Sequence, residues 1–325
     1  MSKPIGIFMR QKVALPTAFV LAWSSGFVIA HLGVGTASLL TFLTWRYLIA
    51  SALLWAVPSW RPTRMPAVDL ARDLRAGLLT QLGYIVPVYA AIGVGVSTGA
   101  ASLIDALQPV IVATLAGPLL GLSVTRTQWS GLVAALVGVT MIVWSNLGAS
   151  TAPWWGYLVA GVAISSQLAG VLLDRGRHDR QVLPTLTVHV TATTAVLVVV
   201  AAITGGLVPP RDPAFWCLTL ASTLVPTVAA YALYWGVARV FDVTVLGYLL
   251  FLVTPTTTIA GAILFDEPLT ATIGAGILLS FLGVAITLSA GKHKGGPPAP
   301  GCRRTAFSYD GSPDQASSSP SSATS

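Results

Sequence analysis

Ten stretches of about twenty predominantly apolar residues follow one another along the chain, at about 13–32, 38–58, 76–94, 98–120, 127–147, 153–173, 183–204, 214–237, 244–265 and 270–290. Each is as long as a helix must be to cross a hydrocarbon core about 30 Å thick at 1.5 Å per residue. The runs lack an alternation of period two and are about twice the length of a barrel strand, so helices are the structure that satisfies their backbone in lipid. Composition agrees: 54% of residues are hydrophobic, 9% are charged and the mean hydropathy is +0.77, against about 25% charged in soluble domains. The expected fold class is an all-α membrane protein with ten transmembrane helices.

The connecting segments carry a one-sided charge. Sixteen Lys and Arg residues fall before helix 1, between helices 2 and 3, 4 and 5, 6 and 7, and 8 and 9, and after helix 10; Arg211 alone falls on the other side. Basic loops stay cytoplasmic, so both termini are expected inside, with the chain multi-pass in the plasma membrane (the bacterial inner membrane). The +7 net charge is spread over these loops without an aromatic-laced basic face, which fits anionic headgroups of the lipid bilayer and no nucleic acid. The opening, with Lys3, Arg10 and Lys12 before an apolar run, has the form of a signal peptide; with nine further apolar segments behind it, it reads as an uncleaved first span.

The two halves resemble each other. Residues 107–142 can be laid on 253–287 so that Pro109 meets Pro255 and, after one residue of slippage, Gly138 meets Gly283. Five helices per copy is an odd number, so the second copy must enter the membrane upside down. The expected organisation is two inverted five-helix repeats, N-in/C-in: residues 1–12 a cytoplasmic N-terminus, 13–148 the first repeat, 149–290 the second, and 291–325 a Pro-, Gly- and Ser-rich cytoplasmic tail with a disordered composition. Inverted repeats place a substrate site near the midplane between the halves.

AFVLAWSSGFVIAHLG in helix 1, LTFLTWRYLIASALL in helix 2, AAIGVGVSTGAASLIDALQPVIVATLA across helices 3 and 4, and FDEPLTATIGAGILLSFLGVAIT at the end together resemble the EamA-type ten-helix members of the drug/metabolite transporter superfamily. The likeness runs over about 13–290 in the expected order. It implies secondary transport of metabolites, amino-acid-like compounds or drugs, in the direction of export (efflux), with the helices bundled around a central cavity. The first half has Gly121-Leu122-Ser123 where the second has Asp266-Glu267-Pro268, and Asp105 is not part of the family pattern.

Asp105 is the one acid well inside an apolar segment, and Arg46 the one base. A charge at mid-helix costs about 2.5–3.5 kcal/mol on insertion scales and is retained where it faces a cavity or a partner. Arg46 lies eight residues past Ser38 and Asp105 seven past Thr98, which puts both about 10–12 Å below the same surface. They are candidates for a charge pair or a substrate clamp, Arg46 for a carboxylate and Asp105 for an amine or proton; the alternative for each is a structural role, Arg46 tying helix ends through carbonyls. His189 aligns with Arg46 in the second half and is either a titratable substrate contact or a helix-to-helix hydrogen bond. Trp23, Ser25, Gln81, Tyr84, Gln167, Tyr231, Tyr234 and Trp235 carry polar tips on apolar bodies suited to a pocket for a small amphipathic solute, although aromatics also serve as interface anchors.

Pro87, Pro109, Pro226 and Pro255 fall inside helices and are hinge candidates or plain packing features. Asp266-Glu267-Pro268 reads as capping chemistry at a helix start. Gly95-Val-Ser-Thr-Gly99 has the GxSxG spacing but lies in a helix-to-helix turn, without the strand a nucleophile elbow needs. No GxxxxGK[ST] loop, HExxH motif, paired buried carboxylate or CxxC occurs, so ATP drive, a catalytic centre, a metal and a cofactor are not expected. The expected partners are a small-molecule substrate and the bilayer, with a proton or another ion as coupling partner, in a monomer or homodimer. Import on the same fold is the alternative, ahead of a membrane-embedded enzyme or a channel.

Overall fold

The computed structural model describes residues 5–62, 66–107, 125–149, 152–173, 182–240 and 243–292, and these residues form helices and connecting turns without strands. They make ten helices: α1 (Ile5–Val34), α2 (Leu39–Ala56), α3 (Ala67–Gly93), α4 (Thr98–Ala106), α5 (Arg126–Ala149), α6 (Trp154–Leu173), α7 (Val182–Thr204), α8 (successive segments Pro213–Ser222, Thr223–Ala229 and Ala230–Val240), α9 (Val243–Phe265) and α10 (Ala271–Lys292). Each coincides with one of the expected windows. Two begin earlier: α1 at Ile5, and α3 at Ala67, whose charged first segment Asp69-Leu-Ala-Arg-Asp-Leu-Arg75 precedes the apolar run. The Arg72 Nε of that segment donates to the Leu173 carbonyl at 2.7 Å, tying it to the end of α6.

Local chemistry sets several ends. Ser38 caps α2 by accepting from the Thr41 N–H at 3.1 Å, Ser97 caps α4 through the Ala100 N–H at 3.2 Å, and Asp212 followed by Pro213 opens α8, accepting from the Ala214 N–H at 2.9 Å. Gly95 after α3 and Gly205 after α7 turn the chain at φ values of +99° and +79°, which only glycine adopts without strain. Six helices are long and apolar enough over described residues to cross a bilayer: α1, α2, α3, α6, α7 and α8. In α5, α9 and α10 the apolar described stretch is shorter, as Trp129–Ile142, Leu252–Phe265 and Ala271–Gly283, and α4 runs up to the undescribed residues 108–124. Trp129, Trp154 and Trp155, expected as interface anchors, are exposed.

The helices pair across the two halves. α5 lies along α10, α4 along α9 and α2 along α7; α1 packs on α8 as α6 packs on α3, and α3 touches α7 as α8 touches α2. The α5–α10 crossing is backbone on backbone. A Cβ on Gly138 would stand 2.5 Å from the Gly276 carbonyl oxygen, and one on Gly283 would stand 2.4 Å from that of Gly131. Gly138 and Gly283 are the glycines matched between the halves, and their contacts are reciprocal. Small residues allow this approach. Gly274 meets nothing within 4 Å and takes no part in it.

Two helices widen at corresponding places. α3 makes a π turn at Leu78–Leu82 and α8 another at Thr223–Ala229. Such turns recur at functional sites because they swing side chains out of the regular 3.6-residue register.

Candidate functional site

In the second π turn, Pro226 has no N–H to offer the Ser222 carbonyl four residues back. The π turn gives that carbonyl the Thr227 N–H, five residues on, and the Thr227 hydroxyl donates to the same oxygen at 3.0 Å. Thr227 Oγ1 then accepts from Arg46 Nη2 at 3.0 Å, so a proline in one half prepares the acceptor for a cation in the other. Arg46 Nη1 donates to the Tyr89 hydroxyl, and the Arg46 carbonyl accepts from Thr223 Oγ1 at 3.2 Å. Arg46 is 4% exposed. Its guanidinium carbon lies 5.4 Å from the Tyr89 ring centre and 5.8 Å from that of Tyr47, and its Nε has no hydrogen-bond partner.

A second chain of bonds runs beside it. The Tyr47 hydroxyl donates to Gln81 Oε1 at 2.9 Å, and Gln81 Nε2 donates to the Tyr231 hydroxyl at 3.0 Å. Both ends of the Gln81 amide are thereby held, fixing α2, α3 and α8 to one another. Tyr231 lies 5.8 Å from Trp23, ring centre to ring centre, and Trp23 packs in turn on Phe19 and Tyr234.

These side chains surround a cavity with about 590 Å³ of space between atoms, its open mouth included. The expected residues Trp23, Arg46, Gln81, Tyr84, Gln167 and Tyr231 line it, together with Pro226 of the hinge candidates. They come from α1, α2, α3, α6 and α8, and so from both halves of the sequence. Among the described residues Arg46 is the one charged side chain in the wall. Tyr84 and Trp23 are also near neighbours of Asp105, with their polar tips toward its carboxyl group. Asp105, half-buried near the end of α4, thus stands behind these two residues and outside the lining. Arg46 and Asp105 form no ion pair; the described hydrogen bonds of Arg46 go to Tyr89 and Thr227.

The other candidates lie elsewhere. Ser25 donates to its own helix, to the Ala22 carbonyl at 2.7 Å. His189 sits at the α3–α7 crossing, where a Cβ on Gly77 would come within 2.6 Å of its Cα. Tyr234 supports Trp23 from outside the lining. Pro87 and Pro255 are inside α3 and α9. Pro109, Gly117 and Gly121 lie outside the described residues, as does the side chain of Trp235.

Two polar wall residues escape a sequence reading. Tyr89 had a signal: Gln81, Tyr84, Ile85, Val88 and Tyr89 follow the i, i+3, i+4, i+7, i+8 pattern of one helical face. Thr227 had none, because its role comes from the π turn around its proline neighbour.

At the end of the bundle formed by the α3–α4 and α9–α10 turns, Glu267 caps a helix other than its own. The Thr98 N–H donates to Glu267 Oε1 at 2.7 Å, and the Thr98 hydroxyl and Gly99 N–H donate to Oε2 at 3.1 and 3.4 Å. The expected capping chemistry is therefore present, but it joins the α9–α10 turn to the start of α4; α10 itself is capped by Thr270, which accepts from the Ile273 N–H at 3.2 Å. Gly261 makes room, since a Cβ there would lie 2.3 Å from Glu267 Oε2.

Residues 13–144, the segment holding α1 to α4 and Arg46, match the EamA-like transporter family. Over that segment the chain is similar to the family. EamA-type proteins are drug/metabolite superfamily transporters, and this chain, with six described helices long and apolar enough to cross a bilayer, is a multi-pass membrane protein. A crystal structure described only as that of a protein is similar to it, with a TM-score of 0.60 and 19% identity over 86% of this chain and 98% of the other; at that identity the likeness concerns the fold alone. No curated protein matches the sequence.

Proposed function

We propose that this protein is a secondary transporter that exports a small amphipathic solute from the bacterial cytoplasm by alternating access around the Arg46 cavity. The observation that carries the reading is the cavity itself: an aromatic-walled chamber holding one buried cation, built jointly by helices of both halves. The reciprocal packing of α5 on α10 and the matched π turns support the view that 13–148 and 149–290 are inverted copies. In this reading both termini are cytoplasmic and the halves rock about the site, with the broken turns of α3 and α8 and the prolines Pro87, Pro226 and Pro255 as bending points. Asp105, beside Tyr84 and Trp23, is the acid available for proton or other ion coupling.

The test is counterflow in proteoliposomes, using solutes first selected by their ability to raise the melting temperature of the purified protein. Saturable uptake that accelerates when unlabelled solute is loaded inside is expected. Flux that rises linearly with concentration and ignores internal solute indicates a pore and refutes the proposal.

A further inference from the structure

Among the described residues the cavity wall contains one charge and no counter-charge. Arg46 carries a guanidinium cation, it is 4% exposed, and the groups bonded to it, a phenol and a threonine hydroxyl, are neutral. Neutral dipoles recover only part of what a buried cation loses on leaving water; an anion recovers far more. The guanidinium fork matches a carboxylate in shape, and its Nε–H is still without an acceptor. One cation calls for a single negative charge.

The remaining wall defines the rest of the ligand. Trp23, Tyr84, Tyr89 and Tyr231 present aromatic surface, with Phe27 and Ile85 between them, a lining suited to a flat apolar body. Gln167, also in the wall, has an amide oxygen that is covered and without a partner; turning the amide toward the cavity offers it to an N–H or O–H on that body. A ligand ammonium finds no carboxylate in the wall, because Asp105 stands behind Tyr84 and Trp23.

The geometry points to small aromatic monocarboxylates bearing an N–H or O–H as the solute class, bound by the acid group at Arg46 and the ring against the aromatic wall. This rests on the reading of the cavity as the transport site. A ligand's carboxylate supplies the negative charge that the protein omits, so binding depends on the acid and needs no amine.

Melting temperatures of the purified full-length protein with indole-3-acetate, 4-hydroxyphenylacetate, tryptamine, tyramine and indole test the assignment. The two acids are expected to stabilise the protein, whereas the matched amines and neutral indole are not. Arg46→Gln is expected to weaken apparent affinity for the acids roughly ten- to a hundredfold, the worth of one charged hydrogen bond. Should Arg46→Gln fail to fold by circular dichroism, the order of the five compounds on the unmodified protein decides. Amines or indole stabilising as well as the acids, no stabilisation by either acid, or undiminished affinity in a folded Arg46→Gln protein each overturns the assignment. Counterflow separates it from the transport reading: acids that bind but show no counterflow leave the charge class standing and remove transport, whereas counterflow of tryptamine does the reverse.

Discussion

The link from Pro226 through Thr227 to Arg46 can be tested as a thermodynamic coupling. Thr227→Val keeps the branched shape but strands one buried Arg46 N–H and takes from the Ser222 carbonyl its second donor, leaving it the backbone N–H of the π turn. A stranded polar group costs about 1–3 kcal/mol in soluble proteins, while side-chain bonds between membrane helices average nearer 0.6 kcal/mol. The expected loss is therefore about 1–3 kcal/mol in total. Pro226→Ala restores the N–H that faces Ser222 in a regular helix and retains the Cβ that lies toward Gly26. With that N–H in place the turn can return to regular register, and the Ser222 carbonyl gains a donor that makes the hydroxyl less important to it. Thr227→Val should then cost less by about 0.5–1.5 kcal/mol, a coupling within the range measured for residues that share a network. Unfolding of the four proteins in mixed micelles, followed by circular dichroism, gives the cycle. Additivity to within about 0.3 kcal/mol, or no cost for Thr227→Val, refutes the argument that the proline and the hydroxyl act together on this carbonyl.

Other outcomes follow from the same geometry. Glu267→Gln removes the charge that holds Thr98 and Gly99; a loss of about 1–2 kcal/mol, the worth of a good cap, should appear as a lower melting temperature, and an unchanged one counts against the contact. Gly138→Val should cost about 1–3 kcal/mol by forcing α5 off α10, whereas Gly274→Ala, in open space, should be neutral or stabilise by up to about 1 kcal/mol; equal effects at both positions contradict the crossing. Asp105→Asn is expected to keep the fold while reducing solute-driven proton movement in proteoliposomes, and intact coupling removes Asp105 from the mechanism. Single cysteines at Thr36 and Ser59, in a chain with Cys217 and Cys302 replaced, should label from opposite faces of the membrane; labelling from the same face contradicts the proposed sidedness.

The all-helical character and the six described spanning helices were legible because bilayer thickness imposes a length that composition reveals directly. Six of the eleven candidate binding residues line one cavity for a related reason: a polar tip within an apolar run is costly unless it faces one, as with Gln81 and Gln167. The same rule fails where the cost is met locally. Ser25 satisfies itself on the Ala22 carbonyl, and His189 shares the alignment position of Arg46 but lies against Gly77. Alignment matches positions along the chain and does not fix which way a helix is rotated. Glu267 was recognisable as a capping acid, but its target, α4, lies far away in sequence, and no local pattern reveals a partner that only folding brings near.

The Glu267 contact also makes the two halves unlike in a way that matters for a molecule that switches. Where the second half carries this acid, the corresponding segment of the first has Gly121-Leu122-Ser123, with no carboxylate to offer. A perfectly matched pair of halves would rest equally often in either posture. On the proposed mechanism, one acid fastening a single end supplies the bias, and the resting posture is set by a contact outside the lining of the Arg46 cavity.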